Sequence, residues 1–449
     1  MQLLVFRLMI KAFLNNKSKT IASAAIILGA ASLVSRFLGL IRDRILAGTF
    51  GAGDELDIYY AAFRIPDLVF SLLVIGAISA GFIPIFISYL NKDRNKSWYL
   101  ANSILNIISL SLIIICLILI VFAPWLIKLI TPGFSLEKTA LTVELTRIMF
   151  LSPLFLGLSA ILGGILQSFG RFLVYSLGPI MYNLGIIFGI LFLVEPFGLT
   201  GLAYGVVIGA FLHMVVQIPT VYFCGFRWKP IFDFKFEGVR RIFKMMPSRI
   251  INLALNQITL VIMTIFASFL AIGSIAVYNL SYNIVSFPLG VFGVSFAIAA
   301  FPELSKQAQK KNIPEFNKVF YTTFRKILFL IVPASLIFII LRQLIVKIIL
   351  GTGQFGLEEI ILTSQTLGYF SIGLFAEALI LLFLRGFFAW EDTKTPFVIG
   401  FLSAIVRLSG AWYLSSFMGV PGLALGFSIG SILHLALLFI VLRRKINEY

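Results

Sequence analysis

Apolar runs long enough to cross a bilayer fill almost the whole of this chain, broken by short charged or Gly- and Pro-bearing stretches. A membrane-crossing helix needs about 20 apolar residues. The breaks delimit spans near 20–45, 56–90, 98–130, 138–168, 172–194, 200–225, 243–270, 273–305, 318–349, 358–388, 395–417 and 420–442. The pattern predicts an all-α polytopic membrane protein with about 12 transmembrane helices. Several runs exceed one bilayer thickness, which implies tilt or extension into water.

A long basic stretch, 226–242, divides these spans into two six-helix bundles, 20–225 and 243–442, with a segment 1–19 before them and a tail 443–449 after. The first segment, MQLLVFRLMIKAFLNNKSK, lacks a long apolar core with a small-residue cleavage site. It reads as a basic amphipathic helix on the membrane surface. The two halves echo each other: 58–86 resembles 277–305, with Tyr60 opposite Tyr278 and Pro84 opposite Pro302, and Ser35-Arg36 and Ser248-Arg249 open the halves alike. Two copies of equal topology place a transporter's substrate site near the midplane.

Lys and Arg collect in alternate loops, around 91–97, 226–244 and 306–326, and at both ends. Loops near 195–199, 270–273 and 417–420 have none. By the positive-inside rule both termini are cytoplasmic, in a multi-pass protein of the cytoplasmic membrane.

Composition sharpens this picture. Of 449 residues 60% are hydrophobic and only 12% charged, leaving no room for a sizeable soluble domain. The formal net charge of +17 sits mostly in short loops, so anionic lipid headgroups rather than nucleic acid are the expected surface partner. Cys116 and Cys224 lie in apolar runs and are expected to be free, buried thiols. No zinc cluster, phosphate-binding loop or Ser/His/Asp set appears, which points away from an enzyme and toward a transporter without a bound cofactor.

The departure from the apolar pattern is the segment from Ser35 to Asp67, which holds Arg36, Arg42, Asp43, Arg44, Asp57, Arg64 and Asp67. An Arg at mid-bilayer costs roughly 2.5–3.5 kcal/mol on insertion scales, so these cations call for an aqueous cavity, an anionic partner, or both. Structural alternatives stand beside that reading: snorkelling for Arg36, a loop cluster for Arg42, Asp43 and Arg44, and helix capping for Asp57. A further charge, Arg407, sits in the eleventh span, either as a fixed cation of the second half or paired with a carboxylate such as Glu377. Glu144 and Arg147, one turn apart, are expected to pair, and Arg385, Glu391, Asp392 and Lys394 to organise a cytoplasmic turn. His213 and His434 are lone histidines in apolar runs, with no metal or catalytic role expected.

Several ordered segments carry a family resemblance: SRFLGLIRDRILAGTFGAGDELDIYYAAFRIPDL, GFSLEKTALTVELTRIMFLSPL, LGGILQSFGRFLVYSLGPIMYNLGIIFG, TIFASFL and FLRGFFAWEDTKTP. Together they resemble the MurJ (MviN) lipid II flippases of the multidrug/oligosaccharidyl-lipid/polysaccharide (MOP) exporter superfamily, whose fold is MATE-like. The resemblance implies alternating access, with undecaprenyl-pyrophosphate-linked disaccharide-pentapeptide as the substrate. It places Arg36 and Arg42 on the family's functional arginines, Asp57 on its functional acid and Arg64 on a basic position. Arginine suits such a substrate, because its planar fork binds phosphate oxygens bidentately.

The sequence departs from the family pattern at four places. Phe70 and Asn283 stand where many members carry arginines, and Met263 stands where some have a sodium-binding acid, so a sodium site is not supported. Arg407 takes a position where the family suggests an amide. Without two further C-terminal spans common in the family, the polyprenyl tail is expected to stay in lipid at a lateral gate. Membrane potential or an ion gradient would supply the energy, with cell-wall synthesis enzymes as candidate partners of a monomer. Competing readings are a flippase for another lipid-linked oligosaccharide, a multidrug exporter of the same fold, and a non-transporting scaffold. The arginines oppose the drug exporter, whose cationic substrates favour an apolar or acidic cavity.

Overall fold

The computed structural model describes residues 21–75 and 81–447. The expected amphipathic segment 1–19 and residues 448–449 lie outside the described residues, as do the side chains of Ser248 and Arg249. All regular structure among the described residues is helical. Nine helices there are long and apolar enough to cross a membrane, and they match nine of the predicted spans, from Arg94–Ile130 to Val420–Ile446. The other three predicted spans are the helices Ile21–Phe50, Asp54–Val69 with its continuation, and Glu237–Ser268.

Among the described residues three of the spans contain a π-helical turn: Phe70–Ile75, Gly189–Leu193 and Leu289–Val294. Such turns concentrate at functional sites. The first and third fall at corresponding places in the 58–86 and 277–305 echo, so the duplication extends from sequence to backbone geometry.

The chain forms two compact units. One gathers residues through Arg42, Ala61–Leu129 and Ser135–Gln257; the other gathers Asp43–Tyr60, Ile130–Phe134 and everything from Ile258. In the first unit, Phe172–Phe188 and Leu199–Val215 approach closely because small residues face each other. A methyl on Gly185 would stand 2.2 Å from the Gly209 Cα, and one on Gly189 2.4 Å from that of Gly205.

The basic stretch after Gly225 is stitched to the Arg94–Ile130 helix. Asn102 Nδ2 donates to the Arg227 carbonyl at 3.0 Å, and Asn106 Nδ2 donates to those of Lys229 and Ile231 at 2.7 and 3.0 Å. The Asp233 N–H donates to Ser103 Oγ at 3.0 Å. Those asparagines look like ordinary helix-interior polar residues in the sequence; their role is to satisfy the backbone of an irregular segment.

The second unit is built around Leu357–Ala389, whose Phe370, Leu374, Leu379, Leu382, Phe383 and Phe387 are buried. Phe370 packs edge-on against Tyr278 and Phe427, with ring centroids 5.2 and 5.4 Å away. Cys116 and Cys224 are free and buried, as their apolar surroundings predict.

One expected ion pair is corrected. Arg147 does not pair with Glu144; its Nε donates to the Ile120 carbonyl at 3.2 Å. A carbonyl in the neighbouring helix satisfies the guanidinium where one turn of spacing alone offers only a weak, solvent-screened pair.

Candidate functional site

A cavity of about 710 Å³ opens inside the first unit. The Ile21–Phe50 helix supplies Ser32, Ser35 and Arg36 to one wall, spaced three and four residues apart so that they share a face. Phe70, at the start of the first π turn, lines it too, as do Ser159, Tyr175 and His213. Arg36 is half-buried. The site thus joins one fixed cation, a set of hydroxyls and an apolar remainder in a unit made of membrane-spanning helices. That combination suits an anionic, hydroxyl-bearing headgroup on a lipid.

His213 is held from one side. Its Nδ1 lies 2.6 Å from Ser159 Oγ, which also donates to the His213 carbonyl at 3.0 Å. Gln217, one turn further along and fully buried, donates from Nε2 to Ser159 Oγ at 2.6 Å. In the sequence His213 stands alone in an apolar run; the one signal of this network was a second polar residue at i+4, and its main partner is far away in the chain.

The other predicted residues take distinct places. Arg42 Nη1 donates to Asn183 Oδ1 at 3.1 Å, while Asn183 Nδ2 contacts the Ser35 carbonyl and hydroxyl, both at 3.3 Å. Asn183 therefore ties together two residues seven apart on the same face of the first helix. Arg44 donates from Nη1 to the carbonyls of Ile348 and Ile349, the latter at 3.3 Å, completing the C-terminal end of Arg342–Leu350. Its cation opposes the negative end of that helix dipole.

Asp57 is 2% exposed and caps a helix other than its own. Its Oδ2 accepts from the Gly273 N–H and its Oδ1 from that of Ala276, both at 2.9 Å, at the start of Ser274–Pro288. Asp43, buried in the same unit, accepts from Asn283 Nδ2 at 2.9 Å. Arg64 lies one turn before Asp67 and is the opposite charge acting on it.

Of the two readings of Arg407, the ion pair is the observed arrangement. Its Nη2 lies 2.8 Å from Glu377 Oε1 and donates to Ser431 Oγ at 2.8 Å, and Ser431 donates to the same carboxylate oxygen at 2.5 Å. The guanidinium carbon sits 4.1 Å from the Phe427 ring centroid, a cation–π contact in a largely buried setting. Among the described residues no group of three or more His, Cys, Asp or Glu side chains could hold a metal ion.

The comparisons with known proteins bear on the whole of this arrangement. The family model described as "Lipid II flippase MurJ" matches residues 46–448. The chain belongs to the MurJ family. A relative from Buchnera aphidicola subsp. Baizongia pistaciae, a "Probable lipid II flippase MurJ", is 32% identical over 428 residues, covering 93% of this chain and 83% of its own length. A solved MurJ flippase, in an inward closed conformation, superposes with a TM-score of 0.80 at 25% identity, over 93% of this chain and 87% of that one. An inward-facing MATE-family transporter of the MOP superfamily gives a TM-score of 0.77 at 13% identity over 94% and 98% of the two chains, a likeness of fold. MurJ membership makes this a multi-pass inner-membrane protein with the MOP fold.

Proposed function

We propose that this chain carries lipid II, the undecaprenyl-pyrophosphate-linked peptidoglycan precursor, across the cytoplasmic membrane by alternating access. The observation that carries the reading is Arg36 in the wall of a cavity inside a membrane-spanning unit, in a chain that belongs to the MurJ family. A pyrophosphate offers oxygens for the bidentate binding that a guanidinium favours. Arg42, locked against Asn183, holds the first helix so that Ser35 and Arg36 keep their orientation. Asp57 closes the start of Ser274–Pro288, and Arg407 neutralises Glu377, both in the second unit.

On this reading the protein is a transporter with no resident cofactor and no sodium site, driven by membrane potential or an ion gradient. Both termini are cytoplasmic, in keeping with the Lys/Arg bias of the loops. The test is reconstitution in liposomes with a fluorescent lipid II and a membrane-impermeant quencher. Lipid II crossing that depends on the protein, and is lost in Arg36→Gln, supports the proposal; crossing no faster than in protein-free liposomes refutes it.

A further inference from the structure

The His213 ring is fixed at one edge and open at the other. Ser159 holds Nδ1, whereas Nε2 has no hydrogen-bond partner among the described residues, and the residue lines the same cavity as Arg36. The tip of the ring packs against Gly178. A methyl at that position would stand 2.7 Å from both Cε1 and Nε2 and 3.0 Å from Cδ2, so the ring could not keep its place. Two fully buried polar side chains, Ser159 and Gln217, thus orient one imidazole whose remaining nitrogen has no partner among the described residues.

The chemistry of that nitrogen narrows the ligand. The Ser159 hydroxyl has one proton. If it goes to the His213 carbonyl, Nδ1 carries the ring proton and Nε2 accepts; if it goes to Nδ1, Nε2 carries the proton and donates. A hydroxyl both donates and accepts, so it satisfies Nε2 in either tautomer. A phosphoryl oxygen satisfies only the second. Arg36, always charged, is the phosphate ligand of the same cavity.

We infer that His213 Nε2 recognises a sugar hydroxyl of a lipid-linked glycan whose phosphate end is held by Arg36. The inference rests on the proposed function and adds a specificity residue to it: His213 reads the sugar, Arg36 the charge. Cavities of about 300–1,000 Å³ accommodate ligands of this size, and 710 Å³ lies within that range.

The test is a binding titration of the purified full chain with two probes, undecaprenyl pyrophosphate and the same lipid bearing its disaccharide. The readout is the ratio of the two affinities. His213→Ala should lower the preference for the sugar-bearing lipid by about tenfold, the loss of one hydrogen bond to a buried partner. Gly178→Ala, which keeps the imidazole but forces its tip out of place, should lower it in the same direction. It decides the question if His213→Ala fails to fold. Arg36→Gln should weaken both probes together and preserve the ratio. An unchanged ratio in the His213 and Gly178 variants overturns the inference while leaving the proposed function standing. Failure of the unaltered chain to bind either probe overturns both.

Discussion

The carboxylate of Asp57 closes the start of a helix more than two hundred residues further along the chain, accepting from the Gly273 N–H at 2.9 Å and reaching Ala276 with its second oxygen. Gly273 has φ +85°, and a Cβ there would stand 1.8 Å from the Ala52 carbonyl oxygen. Charge, turn and close approach therefore meet at one buried point of the second unit.

Removing the carboxylate leaves two buried N–H donors without it. Asp57→Ala should cost about 1–2 kcal/mol of stability, and Asp57→Asn less, since an amide oxygen still accepts but adds no charge to the helix dipole. Thermal unfolding in detergent reads both. Equal losses would show that charge contributes nothing at this helix start.

Gly273→Ala combines left-handed strain with a clash against the backbone of Ala52, while Gly198→Ala, at φ +58° with nothing within 4 Å, meets strain alone. The first should destabilise by more than about 2 kcal/mol and the second by about 1. The same unfolding measurement ranks them.

Arg407 and Glu377 form a pair whose side chains are only 13% and 22% exposed. Breaking such a pair leaves one charge uncompensated, so Arg407→Gln and Glu377→Gln should each cost about 3 kcal/mol. The double variant should lose less than the sum of the two. A double-mutant cycle by unfolding checks this, and additive losses would contradict coupling between the two residues.

The turn after Ala389 has a pH signature. Burial by itself would raise the Asp392 pKa, but Lys445, 2.6 Å away, and Thr395 outweigh it and hold the carboxyl below the usual carboxylate range. Its stabilising contribution is present above the ordinary Asp pKa of about 3.9 and is lost as pH falls through the lower folded-state value. Lys445→Gln should flatten stability against pH in that acid window and leave the neutral range nearly unchanged, as acid unfolding curves would record.

The membrane fold was legible because bilayer-length apolar runs leave few alternatives. The charged segment itself was legible as an energetic anomaly but not as a geometry. Arg36, Arg42 and Arg44 lie six and two residues apart on one helix, so their side chains leave it in different directions: a cavity wall, the Asn183 amide, and the carbonyls of Ile348 and Ile349. Asp57 read as a helix cap, but the helix it caps starts at Ser274, a partnership that local pattern cannot encode. The sequence shows His213 alone in an apolar run because its orienting partner, Ser159, is 54 residues away, and long-range pairing leaves no periodicity. The division at Arg42 and Asp43 falls inside a single helix, where no change in composition marks it.

The most direct test of the account is outer-leaflet lipid II in cells depleted of their own flippase and expressing this chain. Degradation of radiolabelled lipid II by an added membrane-impermeant hydrolase measures the exposed fraction. The account predicts restored exposure with the unaltered chain and loss of it with Arg36→Gln at equal membrane abundance. Restoration by Arg36→Gln to the same level, or none by the unaltered, membrane-inserted chain, would contradict it.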